Sequence, residues 1–213
     1  MKDFYHTIQS PAIDEQNIQR CRFIGYCYPV SSAEEALERI SELRKENYSA
    51  THVCWAYSIY GDEEYETRSN DDGEPSGTAG KPILGRLLSR DLTNVAVAVV
   101  RYFGGVKLGT SGLIDAYRST TELVLDKATV REVILYSRVT LSFQMDLMGL
   151  VMLLVKNYGA EIIAQDYTSQ YHLTVQLRQG EMPTFVAAAG EIYGVTLQEE
   201  QANESVSTLV KGL

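Results

Sequence analysis

The sequence predicts an α+β protein of two domains, residues 1–136 and 137–213. Three observations lead there. Helical and strand periodicities alternate along the chain, with neither dominating. The glycine-rich punctuation, Asp72-Gly73 to Gly80 and Gly104-Gly105 to Gly112, is confined to the first part. The last part has the rhythm strand, helix, strand, strand, helix, strand with tight joints. A chain of 213 residues is long enough for one or two domains that each bury a core.

Taken in order, Arg22 to Tyr28 is an extended run rich in aromatic and apolar residues. Ser31-Ser32-Ala33-Glu34 makes a capping box, and Ala36, Leu37, Ile40 and Leu43 then recur at helical spacing to Asn47. A strand from His52 to Tyr60 feeds a polar loop from Gly61 to Gly80, long enough to be a candidate for function. The short helix after it has Pro82 in its first turn, one apolar face of Ile83, Leu84, Leu87 and Leu88, and Arg86 and Arg90 pointing elsewhere. Asn94 to Phe103 is nearly continuous Val and Ala, the pattern of a strand covered on both sides. After Gly104 to Gly112 a long helix runs to about Ala128, and Arg131 to Tyr136 reads as a closing strand. The second part gives strands at Val139–Gln144, Glu161–Tyr167, His172–Arg178 and Val195–Glu199, with helices at Asp146–Tyr158 and Glu181–Tyr193. These helices bury Leu147, Leu150, Val151 and Leu154, and then Phe185, Ala188, Ala189 and Ile192.

Composition excludes several classes. With 45% hydrophobic and 22% charged residues the chain is neither disordered nor a disulfide scaffold. Three cysteines without a CxxC pair point to free thiols and a cytoplasmic setting, and the polar start lacks the apolar core of a secretory signal. The longest apolar stretch, Leu147 to Val155, is about half of the roughly 20 residues a membrane span needs. A net charge of −9 rules out general polyanion binding by the whole-molecule field, so a basic site must be local. Residues 1–136 carry 15 of the 19 Lys and Arg, which places such a site in the first domain.

Two segments are suited to anions. In Ser69 to Pro82, the loop residues Asp71, Asp72, Gly73, Glu74, Gly77, Thr78 and Gly80 bring flexible backbone and amide donors to the start of a helix, with Lys81 beside them. Pro75 and Pro82 stand where a Walker motif needs Gly and Ser or Thr, and the bland alternative is a rigid turn in which Asp71, Asp72 and Ser76 bond their own backbone. In Val99 to Gly109, an arginine near the end of a buried strand must meet a carboxylate or a ligand. Arg101, Lys107, Lys81 and Arg118, with Tyr102 and Phe103 as stacking faces, form a candidate patch for nucleic acid or another anion. His52 and Cys54 face one side of a strand and read as core-side residues, since zinc takes three or four ligands. No catalytic residue, metal site or cofactor is expected.

His52-Val-Cys-Trp-Ala-Tyr57, Asp71 to Pro82 and Val100-Arg-Tyr-Phe-Gly-Gly-Val-Lys-Leu-Gly109 resemble the signature of the IMPACT family, in particular its bacterial two-domain branch. The likeness spans most of residues 18 to 128; one departure is Cys21, where Ser is commoner before Arg-Phe-Ile. The resemblance implies a first domain similar to the second domain of a small-subunit ribosomal protein and a ferredoxin-like second domain similar to the fifth domain of elongation factor G. It points to RNA or the ribosome as partner. Eukaryotic relatives restrain a translation-regulating kinase, partly through an N-terminal domain of a different kind, so that role is not transferred. The leading expectation is a non-enzymatic cytoplasmic protein that binds RNA or the ribosome and modulates translation, with a protein partner also open. The alternative is an enzyme or sensor that takes a phosphorylated small molecule at the glycine-rich loop 71–82.

Overall fold

The structure, a computed structural model, describes residues 3–60 and 65–204, and for residues 200–204 the backbone alone. Gly61 to Glu64, the start of the expected polar loop, lies outside the described residues. The chain divides into two compact units, one holding Tyr5–Glu132 and the other holding Asp3, Phe4 and the described residues from Val133 onward.

The elements of the first part are β1 (Phe4–Ile8), β2 (Ala12–Ile18), β3 (Cys21–Pro29), α1 (Ala33–Glu46), β4 (His52–Ile59), β5 (Glu66–Asn70), α2 (Gly80–Ser89), β6 (Val95–Tyr102) and α3 (Gly109–Lys127). A sheet in the order β2-β3-β6-β4-β5 forms the middle layer, antiparallel at each pairing. β6 is central, and that is why Val95 to Val100 can be continuously apolar: each residue is buried on one face or the other. Alternation sends Val97 and Val99 towards α2 and α3, where they join Phe23, Ile83, Leu87, Tyr117 and Val124. It sends Ala98 and Val100 to the other face, against Ile40 and Leu43 of α1. Arg101 therefore falls on the α3 side and Tyr102 on the α1 side. Each fully buried large side chain contributes roughly 1.5–3 kcal/mol.

Local signals differ in detail from the expected ones. The cap of α1 is displaced by one residue: Ser32 accepts from the Glu35 amide, and Glu35 reaches back to the Ser31 amide and hydroxyl. The single long loop expected after β4 contains β5, Glu-Thr-Arg-Ser-Asn, a polar edge strand with one neighbour and no apolar face to announce it. On α2, Leu88 is exposed, while Arg86 and Arg90 pair with Glu122 and Asp126 of α3. α3 begins at Gly109, so Gly112 lies inside the helix.

From the expected boundary onward come β7 (Val130–Phe143), a short turn of helix at Met145–Leu147, α4 (Met148–Tyr158), β8 (Glu161–Tyr167), β9 (Tyr171–Arg178), α5 (Met182–Gly190) and β10 (Thr196–Glu204). The closing strand and the first strand of the second part are one continuous strand, which runs through the boundary expected after residue 136. Strands β9 and β10 flank β7 antiparallel, and β8 pairs with β9. Val151 and Val155 of α4 and Met182, Phe185 and Ala189 of α5 pack on Leu141, Phe143, Leu173 and Val175. Leu150, expected in that core, is exposed, because it sits one residue from Val151 and hence about 100° around the helix.

Candidate functional site

The loop between β5 and α2 is built around Asp71. Its carboxylate accepts from the amides of Gly77 at 2.8 Å, Ala79 at 3.0 Å and Gly80 at 2.8 Å. Although partial burial pushes the group up, these amides together hold the Asp71 carboxyl below its ordinary value. The donors expected to cradle a phosphate are thus engaged by an anion of the chain itself, as the rigid-turn alternative has it for Asp71. Asp72 tethers the loop instead: its carboxylate accepts from the Val53 amide at 2.6 Å and from Arg44 at 2.7 Å. Gly73 and Gly77 take φ of +85° and +77°, and Thr78 donates its hydroxyl to the Pro75 carbonyl. Gly80 is required for space, since a Cβ there would stand 2.8 Å from the Asn70 backbone nitrogen. Among the described residues no group of His, Cys, Asp and Glu side chains is placed to hold a metal ion.

The loop's next residue supplies the carboxylate that Arg101 needs. Glu74 Oε1 lies 2.5 Å from Arg101 Nη1, with the two side chains only 3% and 6% exposed. Tyr117 of α3 donates its hydroxyl to the same oxygen at 2.8 Å. Burial works against the arginine's charge, but bonding to Glu74 and Cys21 keeps the guanidinium above its ordinary value, so it stays protonated. It lies between the rings of Phe23 and Phe103, 5.5 Å from each centroid. Its Nη2 is 3.7 Å from Cys21 Sγ, and its Nε has no hydrogen-bond partner among the described residues.

Beside this pair opens a cavity of about 380 Å³. Thr51, His52, Glu74, Pro75, Arg101 and Phe103 line one part, and Lys107, Leu108, Gly109, Thr110 and Leu113 line the rest. The second group is the beginning of α3, whose N-cap position is Leu108 and which has no side-chain cap. His52 Nδ1 lies 2.7 Å from the Asp72 carbonyl, and since a carbonyl only accepts, Nδ1 carries the proton in the neutral ring. Nε2 lies 3.8 Å from Glu74 Oε1, and His52 lines the cavity. Cys54, the other residue read as core-side, is buried between Asp71 and Tyr117, and burial pushes its thiol up, away from a thiolate nucleophile.

Of the candidate patch, Arg101, Phe103 and Lys107 meet at this cavity. Tyr102 does not: it lies on the other sheet face and donates to Asn47. Lys81 and Arg118 are exposed and absent from the lining, and Arg118 pairs with Asp115. Sequence reasoning set His52 aside and did not single out Thr51 or Thr110. The antiparallel pairing of His52 with Arg101, which puts both on one face, is the relation that could have drawn attention to the histidine. What the arrangement offers chemically is binding: fixed positive charge, an aromatic face and apolar walls.

These features define a two-unit α+β protein with a ligand-sized basic and aromatic cavity in its first unit. The Impact N-terminal domain model matches residues 19–125, and the chain belongs to the IMPACT family. It is 30% identical over 190 residues to the IMPACT family member YigZ of Escherichia coli, covering 89% of this chain and 93% of that protein. It is 46% identical over 113 residues to the family member YvyE of Bacillus subtilis, where the match covers 53% of this chain and 52% of that protein. A crystal structure of a hypothetical protein, 28% identical, superposes with a TM-score of 0.64 over 92% of this chain and 97% of the other. No described helix is long and apolar enough to cross a membrane.

Proposed function

We propose that this is a non-enzymatic cytoplasmic protein that binds RNA or a ribosomal surface and modulates translation. The observation that carries the proposal is the meeting of Arg101, Phe103 and Lys107 at one cavity in a chain of net charge −9. A protein that is acidic overall yet gathers a buried cation, an exposed cation and a half-exposed ring in one place has the elements of a single-strand site. The translational part of the proposal rests on the family resemblance. We also assign residues 1–136 to the ribosomal-protein-like fold and 137–213 to a ferredoxin-like fold; the placement of β9 and β10 on either side of β7, with β8 outermost, supports the second assignment.

The test is binding of labelled single-stranded RNA, transfer RNA and ribosomal RNA fragments across a salt series, with Phe103→Ala and Lys107→Ala alongside. Removal of a stacking ring is worth about 1–3 kcal/mol, so Phe103→Ala is expected to weaken single-strand binding by about fivefold to about 150-fold. No binding at low salt, or binding indifferent to both changes, would sink the proposal and favour a protein partner.

A further inference from the structure

We infer that the cavity takes one nucleotide through a phosphate monoester, either free or at the end of an RNA strand; the strand form rests on the RNA-binding proposal above. The volume, about 380 Å³, lies in the range of small-ligand sites, roughly 300–1,000 Å³, and suits a single nucleotide better than a run of them. Two independent features point at an anion. α3 is 19 residues long, begins at the cavity with Gly109 and Thr110, and has neither a side-chain cap nor an acidic residue in its first turn. Its first amides are therefore donors without helical partners, at the positive end of a helix dipole. Separately, Arg101 lines the same cavity with its side chain 6% exposed; its Nη2 meets only the Cys21 sulfur, at 3.7 Å, and its Nε–H, shielded from solvent, has no acceptor among the described residues. Glu74 neutralises one guanidinium charge, and Lys107, which is exposed and makes no ion pair among the described residues, leaves the site net positive.

The type of phosphate follows from the donor count. A terminal monoester carries close to two negative charges and three free oxygens, enough for Arg101, Lys107 and the helix amides together. A diester inside a strand has one charge and two free oxygens, and it would leave donors idle. Phe103, 46% exposed and already stacked on Arg101, offers a face for the base. His52, which lines the same cavity, offers its ring to a sugar hydroxyl or a base.

The experiment compares one RNA sequence bearing a 5′-phosphate, a 3′-phosphate or only hydroxyl ends, with a nucleoside 5′-monophosphate and inorganic phosphate as competitors. The expected result is that a terminal phosphate tightens binding tenfold or more and that the nucleotide competes better than inorganic phosphate. Thr110→Asp is the decisive variant. An acid in the first turn occupies the amides and favours the helix, so it should abolish the phosphate-dependent gain with Tm unchanged or raised. Should that variant fold poorly, Lys107→Ala, at an exposed position, is expected to lose at least half of the gain. Equal affinity for phosphate and hydroxyl ends overturns the inference and leaves RNA binding standing. Binding of the nucleotide with no binding of any of the RNAs overturns RNA binding and leaves the nucleotide site. Failure of every ligand overturns both, and inorganic phosphate competing as well as the nucleotide overturns the nucleotide assignment.

Discussion

Asp71 and Glu74 are three residues apart in one loop and have opposite consequences for the fold's electrostatics. The Asp71 carboxylate is satisfied entirely by backbone amides. Asp71→Asn would keep the acceptor facing Ala79 and Gly80 but could turn an N–H₂ towards the Gly77 amide, donor against donor; a loss of about 1–3 kcal/mol in urea unfolding is expected. Its pH dependence has a definite sign. Because the folded-state value is held down, the stabilisation is complete above the unfolded value of about 3.9 and is lost as pH falls through the lower folded value. The gap between wild type and variant should therefore close on acidification below about pH 4. Glu74, by contrast, holds a buried arginine. Glu74→Ala leaves that charge uncompensated and is expected to cost about 3–5 kcal/mol, whereas Glu74→Leu combined with Arg101→Met should recover most of it, a contrast that denaturant titration reads directly. The sequence announced that Arg101 required a partner but could not name it, because the partner lies 27 positions away, with α2 and most of β6 between them.

At the level of elements, β6 and α3 place the site, and the connection between them is constrained by contact more than by flexibility. A Cβ on Gly104 would stand 1.9 Å from the Arg20 carbonyl oxygen, a backbone atom that cannot turn aside. Gly104→Ala should therefore displace either the connection or the β2–β3 turn, with an expected loss of about 3 kcal/mol or more by thermal unfolding. Gly105→Ala meets no atom within 4 Å and strains only its φ of +85°. A cost of about 1–2 kcal/mol is expected for it. Elements with strong periodicity were legible: β3, α1, β4, β6 and the helices of the second part are anticipated within a few residues. β1, β2 and β5 were not, because Phe4–Ile8 and Ala12–Ile18 mix polar and apolar residues and Glu66–Asn70 has no large apolar side chain. Their pairing is decided by the neighbouring strand and not by their own composition. The cavity was half legible. Residue types picked out Arg101, Phe103 and Lys107, but strand parity, visible only once β6 is placed in the sheet, moves Tyr102 to the other face.

For the whole molecule the governing quantity is charge. A net −9 repels polyanions at a distance, and the cavity contributes few cations against it. With Arg101 and Lys107 as its two cations, the logarithm of affinity for single-stranded RNA should fall with the logarithm of salt at a slope no steeper than about −1.4, and fluorescence anisotropy over a salt series measures it. A slope several times steeper would place binding on a wider surface than the cavity. The thiols lead to something different. Cys21, Cys27 and Cys54 are free and fully buried in the first unit, and burial pushes Cys27 up to about 11. Alkylation must then wait for the fold to breathe, so each sulfur keeps time for the opening of its own neighbourhood. Cys21 and Cys54 stand near the Glu74–Arg101 pair, and Cys27 lies under the distant end of α3. A bound ligand that quiets local opening should slow the first two clocks and leave the third running, so labelling followed by mass spectrometry would register occupancy without any label on the ligand.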